Sequence, residues 1–197
     1  MDELNLIMDK IRTSFPILPE AEITLEANPD DIDAKLAEQW LHTGINRLSI
    51  GIQSFYEEDL RWMNRSHSTV RALQSIRDIQ NAGFSNYSID LIYGSPVLTD
   101  EMWETNVNTA IGLKVPHLSC YALTVEPETA LQKMIRLQKK EDVDPGKQAA
   151  QYLYLIDSLE KAGYEHYEIS NFSRPGMYSH HNSGYWKGTP YFGFGPS

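Results

Sequence analysis

Cysteine is nearly missing from this 197-residue chain, in which Cys120 stands alone. One thiol excludes an intrachain disulfide framework, a cysteine-based zinc site and an iron–sulfur cluster held wholly by the chain's own thiolates. Any such cluster would need ligands from elsewhere. Basic residues are also scarce: 17 Lys and Arg face 27 Asp and Glu, for a formal charge of −10. That balance repels phosphate backbones and anionic lipid and argues against nonspecific nucleic-acid binding. Long apolar runs are absent too, with no stretch of roughly 18 hydrophobic residues that would read as a transmembrane segment. The opening Met1-Asp2-Glu3-Leu4-Asn5 is acidic and helix-like, where a signal peptide is basic and then apolar. The expected compartment is the cytoplasm. The sequence also has no Gly-x-Gly-x-x-Gly after a strand, no Gly-x-x-x-x-Gly-Lys-Ser/Thr and no His-Glu-x-x-His, so the common dinucleotide, phosphate and zinc-protease signatures do not apply.

What is present belongs to a globular protein: 41% hydrophobic residues, with 4 Trp, 11 Tyr and 6 Phe. Leu4, Ile7, Met8 and Ile11 recur at helical offsets and predict an amphipathic helix with one packed face. A strand is expected over Ile23–Glu26. Asn28-Pro29-Asp30-Asp31 is turn chemistry leading into a helix with Ile32, Leu36 and Trp40 on one side. The same grammar repeats. Strands are expected over Leu48–Ile50, Ser88–Leu91 and Leu118–Leu123. Between them fall a helix with Val70, Leu73, Ile76 and Ile79 on one side and another capped by Asp100 and carrying Trp103, Val107 and Ile111. A long helix around Gly146–Ala162 places Ala149, Leu153, Ile156 and Glu160 at helical spacing. Gly44, Gly83 and Gly163 each stand where a helix exits through a left-handed residue. Strands separated by helical crossovers specify a parallel βα architecture with right-handed connections. The chain is too short for a complete (βα)8 barrel, which leaves a partial parallel barrel or an open sheet, and a partial parallel barrel flanked by helices is the expected α/β architecture. The unpaired edge of such a sheet could pair with a second copy.

Ligands of parallel sheets collect at the carboxyl ends of the strands. Glu26, Gln53, Asp90 and Tyr121 occupy those ends here. Each can cap a helix or satisfy a loop amide, yet together they suggest one shared pocket. Glu26 can bind an ammonium or a hydroxyl, Asp90 a ribose or an amine, and Gln53 either. Arg65, in Met63-Asn64-Arg65-Ser66-His67, is a donor fork suited to a carboxylate or an ordinary surface arginine. An amino-acid-bearing nucleoside would use all of these groups. Cys120, inside an apolar strand, reads as a small buried hydrophobe.

Five segments carry a resemblance. Glu26-Ala27-Asn28-Pro29, Ser49-Ile50-Gly51-Ile52-Gln53-Ser54-Phe55, Asn64-Arg65, Asp90-Leu91-Ile92-Tyr93-Gly94-Ser95-Pro96 and Tyr121-Ala122-Leu123 occur in that order. They resemble the radical S-adenosylmethionine enzymes of the oxygen-independent coproporphyrinogen III oxidase group, along essentially the whole chain. The resemblance implies that Glu26, Gln53, Arg65 and Asp90 contact S-adenosylmethionine, with Ala122 lending a backbone contact. It also implies a [4Fe–4S] cluster, but the Cys-x-x-x-Cys-x-x-Cys motif and the Gly-Gly-Gly-Thr-Pro segment of the family do not occur here. The chain therefore reads as an internal fragment or truncated gene product of a protein nearly twice as long. In that form it is expected to be inactive as a radical enzyme.

Residues 164–197 form an aromatic-rich end to the core of residues 1–163, with Tyr164, Tyr167, Phe172, Tyr178, Tyr185, Trp186, Tyr191, Phe192 and Phe194 beside His166, His180 and His181. Such a surface could enclose a flat macrocycle and ligate its iron, or pack as a terminal extension. Within it, His181-Asn182-Ser183-Gly184-Tyr185-Trp186 is similar to the His-Asn-x-x-Tyr-Trp motif of the haem chaperone branch. That likeness implies haem binding through His181, with His180 and Tyr185 as rivals, and delivery of haem to respiratory acceptors. Three functions remain open on these grounds: a haem chaperone, a coproporphyrinogen III oxidase, and a βα-repeat binding protein without a redox cofactor.

Overall fold

The computed structural model describes residues 1–195, so residues 196 and 197 of the expected 164–197 extension lie outside the described residues. In chain order the elements are α1 (Asp2–Ser14), β1 (Thr24–Ala27), a 3-10 turn (Pro29–Asp31), α2 (Ala34–His42), β2 (Arg47–Gln53), α3 (Glu57–Trp62), α4 (Thr69–Ala82) and β3 (Tyr87–Tyr93). There follow α5 (Asp100–Gly112), β4 (His117–Ala122), α6 (Ala130–Arg136), α7 (Pro145–Lys161), β5 (Glu165–His166), β6 (Asn171–Ser173) and α8 (His180–Trp186). Helix starts follow side-chain chemistry. Asp33 Oδ1 accepts the N–H of Leu36 at 2.7 Å, Ser68 Oγ that of Arg71 at 3.2 Å and Asp144 Oδ1 that of Gly146 at 2.8 Å, each satisfying an otherwise unpaired amide. Thr99, not Asp100, caps α5, and Asp100 is its first helical residue. The expected left-handed exits occur at Gly44, Gly83 and Gly163, with φ of 89°, 101° and 82°.

Among the described residues the sheet has six strands in the order β1-β2-β3-β4-β6-β5. The first four are parallel, as the strand-and-helix repeat predicts. β6 then pairs antiparallel with β4, and β5 antiparallel with β6. The fold is thus α/β with a mixed sheet, and β1 and β5 are its two edges. The antiparallel pair was not expected because strands of two and three residues leave no periodic run to read. A short hairpin connection makes the reversal possible without a crossover helix.

The parallel strands alternate strictly. Leu48, Ile50, Ile52, Ile89, Leu91, Leu118 and Cys120 join one buried cluster with Ala37 and Trp40 of α2, Ala72, Ile76 and Ile79 of α4, Trp103 and Val107 of α5, and Leu155 and Leu159 of α7. Residues between them point to the opposite face. This period of two separates an apolar, helix-covered side from a polar one.

Three predicted packing faces differ from the structure. In α1 only Met8 is buried, while Ile7 is 56% and Ile11 38% exposed, because the apolar stripe is wider than the surface it meets. In α4, Val70 is exposed and the buried row begins at Ala72. In α7 the buried row is Gln151, Leu155 and Leu159, and Leu153 is exposed. A count of apolar residues passes over Gln151, yet its side chain accepts the N–H of Gly94 at 2.8 Å and donates to Leu98 O and Asp100 Oδ1.

Candidate functional site

The polar face of the sheet forms the floor of a cavity of about 1070 Å³. Glu26 of β1, Arg47, Ser49, Gly51 and Gln53 of β2, Ser88 and Asp90 of β3, and Ser119 and Tyr121 of β4 line it. Register sets their mutual positions. Glu26, Ser49, Ser88 and His117 lie on one row across the four strands, and Asp90 and Ser119 pair on the next. Ser88 Oγ donates to Ser49 Oγ at 3.1 Å. Glu26, Gln53, Asp90 and Tyr121 thus share one cavity from successive levels of the sheet.

Arg65 and Ala122 do not line this cavity. Ala122 ends β4, and Arg65 is exposed in the segment after α3. The Arg65 charge nevertheless acts on Asp90. The Asp90 carboxyl is pushed up to about 6, chiefly by burial, with the neighbouring Glu26 charge also raising it. A hydrogen bond from Ser119 and the charges of Arg65 and Arg47 oppose the rise. Near neutrality this group is poised to accept a hydrogen bond from a cation or hydroxyl that restores what desolvation removed.

Sequence reasoning missed most of the floor. Arg47, Ser49, Ser88 and Ser119 alternate with apolar residues in Arg47-Leu48-Ser49-Ile50-Gly51-Ile52-Gln53 and in Ser88-Ile89-Asp90, a signal that was there to be read. Arg47 is 2% exposed and donates to Asn86 Oδ1 through Nη1. Burial lowers its pKa, against the opposing charges of Glu22, Tyr167 and Asp90. Its guanidinium stays charged.

The far wall comes from α8. Ser179, His180, His181 and Asn182 line the cavity, whereas Tyr185 does not. Ser179 Oγ accepts the N–H of Asn182 at 3.2 Å, capping the helix. The His181 ring meets that of Tyr185 edge-on at 4.8 Å, and Tyr185 meets Tyr191 at 5.3 Å. Tyr185 and Trp186 are 55% and 64% exposed, so an aromatic surface opens beside the imidazoles.

The described residues contain no group of three His, Cys, Asp or Glu side chains arranged to hold a metal. Cys120 faces the apolar side, 1% exposed, and burial raises its thiol pKa. These residues do not fit a [4Fe–4S] cluster. They do fit a cationic, hydroxyl-bearing nucleoside, through the carboxylates and amide of the floor.

A family profile described as the Radical SAM superfamily matches residues 2–110. The chain belongs to the radical SAM superfamily. The Heme chaperone HemW of Lactococcus lactis subsp. lactis (strain IL1403) is 38% identical over 193 residues, 98% of this chain and 51% of that protein. The Heme chaperone HemW of Escherichia coli (strain K12) is 34% identical over 194 residues, 98% of this chain and 50% of that protein. Among solved structures, coproporphyrinogen III oxidase (HemN) from Escherichia coli, described as a radical SAM enzyme, superimposes with a TM-score of 0.77 at 25% identity, over 95% of this chain and 42% of that one. The radical SAM chain thus spans about half the length of the curated relatives it matches. Its sheet resembles that of HemN, and it lacks a complete cluster-binding cysteine motif.

Proposed function

We propose that this chain is the S-adenosylmethionine-binding core of a radical SAM-type haem chaperone. One observation carries the reading: Glu26, Gln53 and Asp90 converge in a single cavity whose wall bears His181, beside the exposed Tyr185 and Trp186. Asp90 and Glu26 supply acceptors for the ammonium or ribose hydroxyls of the ligand and negative charge for its sulfonium, and Gln53 supplies a donor and an acceptor. Arg65 acts on the ligand carboxylate from the exposed side, and Ala122 offers its backbone at the end of β4. Relatives named haem chaperones along nearly the full chain support the haem half of the reading. In it, His181 ligates haem iron, Tyr185 covers the macrocycle, and the protein passes haem to respiratory acceptors. A coproporphyrinogen III oxidase core is the second reading, favoured by the likeness to HemN.

Haem titration of the complete protein tests this. A Soret band that shifts when His181 is replaced by Ala, and changes when Tyr185 is replaced by Phe, is expected for the chaperone. A spectrum indifferent to His181, His180 and Tyr185, together with turnover of coproporphyrinogen III, would move the assignment to the oxidase.

A further inference from the structure

Gln53 ends β2 in an unusual conformation. Its φ is 66°, and the N–H of Ser54 donates across it to the carbonyl of Ile52 at 2.8 Å. This is a γ-turn with a non-glycine residue in the left-handed region, a strained arrangement that persists only where its surroundings enforce it. The strand pairing shifts here as well. Ile50 pairs with Ile89 but Gln53 with Leu91, so β2 carries one extra residue against β3.

Two buried side chains outside the cavity hold the turn. His67, 5% exposed, donates from Nε2 to the carbonyl of Ile52 at 3.0 Å. Asn106 of α5, fully buried, accepts the N–H of Phe55 through Oδ1 at 2.9 Å and donates through Nδ2 to Ser54 Oγ at 3.1 Å. The residues on either side of Gln53 are thereby each tied by a hydrogen bond to a buried side chain. The Gln53 amide in turn lies back over Gly51, where a Cβ would stand 2.9 Å from Nε2. His67 also belongs to the segment bearing Arg65, which Ser66 ties to Asp30 Oδ2 at 2.7 Å.

We propose that His67 and Asn106 are positioning residues that hold Gln53 in its strained turn so that its amide meets a nucleoside ligand in the cavity. The inference rests on the reading of that cavity as an S-adenosylmethionine site. Neither residue lines the cavity, so each acts through Gln53. A bond made by one buried imidazole to a carbonyl would serve stability alone if the turn were passive, and the two roles separate in a double-mutant cycle.

The probe is S-adenosylmethionine, titrated calorimetrically into the complete protein, with thermal unfolding recorded for each variant. His67→Leu keeps bulk but removes the donor, and about tenfold weaker binding is expected. His67→Gln returns an amide N–H near the Nε2 position and should recover affinity to within about threefold. In a Gln53→Ala background, His67→Leu should weaken binding no further. Wild-type affinity in His67→Leu with only a lowered unfolding midpoint, or an additive loss in the Gln53→Ala background, overturns the inference while leaving the site reading intact. If His67→Leu does not fold, Asn106→Ala runs through the same cycle, where a loss that vanishes in the Gln53→Ala background supports the inference and an unchanged affinity or an additive loss overturns it. A wild-type protein that binds no S-adenosylmethionine overturns the site reading itself, and this inference with it.

Discussion

The carboxylate of Glu22, just ahead of β1, accepts the backbone N–H of His180 at 3.0 Å and that of His181 at 3.3 Å. Residues 159 positions apart in sequence are thus joined at the wall of the cavity. The carboxylate satisfies two amides that the short α8 leaves unpaired and places negative charge at its positive end. Replacing Glu22 by Ala should free the first turn of α8 at a cost of about 1 kcal/mol. Amide hydrogen exchange at His180 and His181 checks this, with rates about fivefold faster expected in the variant. Unchanged protection would show that the helix is held by packing alone.

Asp90 gives the site a pH dependence whose sign is fixed. Its carboxyl rests at about 6 in the folded chain against an ordinary 3.8, chiefly because of burial. A carboxyl raised by folding stabilises the native state fully below its ordinary value, and that contribution fades as pH rises through about 6. Urea unfolding should therefore show stability declining across this window by about 3 kcal/mol. Asp90→Asn should abolish that decline. Ligand affinity should move the opposite way, rising with pH up to about 6, because the ionised group is the better acceptor for a cation or hydroxyl. Proton release on S-adenosylmethionine binding, read by calorimetry in buffers of different ionisation enthalpy, measures the coupling.

How much of this was visible in the sequence depends on the scale of the signal. Four parallel strands and their glycine-terminated helices were legible, because long apolar runs and left-handed exits such as Gly83 (φ 101°) are local facts. Glu26, Gln53 and Asp90 could be placed in one cavity from strand position alone. Arg47 and Ser88 were missed although their alternation with Leu48 and Ile89 was in plain view. Nothing local could have revealed the Glu22–His181 contact, the γ-turn at Gln53 or the buried row of α7 through Gln151. Each of these depends on a partner distant in sequence, and a polar residue at a core position reads as surface until its partners are known.

Two glycines in these motifs should behave differently. Gly94 has φ of 80°, and a Cβ there would clash with the Gln148 side chain at Cγ. Gly94→Ala carries both a left-handed backbone penalty and a steric clash, and a loss of about 2–4 kcal/mol is expected in chemical denaturation. Gly51 does not have a positive φ, and its added Cβ would crowd the tip of the Gln53 side chain and touch Asn28 Oδ1 at an ordinary 3.9 Å. Gly51→Ala should leave the unfolding free energy within about 1 kcal/mol of wild type while disturbing ligand binding. Equal destabilisation by both substitutions would contradict this division.

Cys120 is a core residue. It lies on the apolar side of β4 between the cavity-facing Ser119 and Tyr121, and its side chain is 1% exposed. Burial raises its thiol pKa, and the Asp90 charge adds to the rise. Since the thiolate is both the nucleophile and the iron ligand, the folded chain should be inert on both counts. Iodoacetamide at mildly alkaline pH should alkylate Cys120 only after denaturation. Incubation of the folded chain with iron and sulfide should give no thiolate-to-iron absorption, and Cys120→Ala should leave S-adenosylmethionine affinity as it was while lowering stability by about 1 kcal/mol for the lost packing. Charge-transfer absorption that disappears in Cys120→Ala would mean that β4 opens to deliver its thiol, and the assignment of Cys120 to the core would fail.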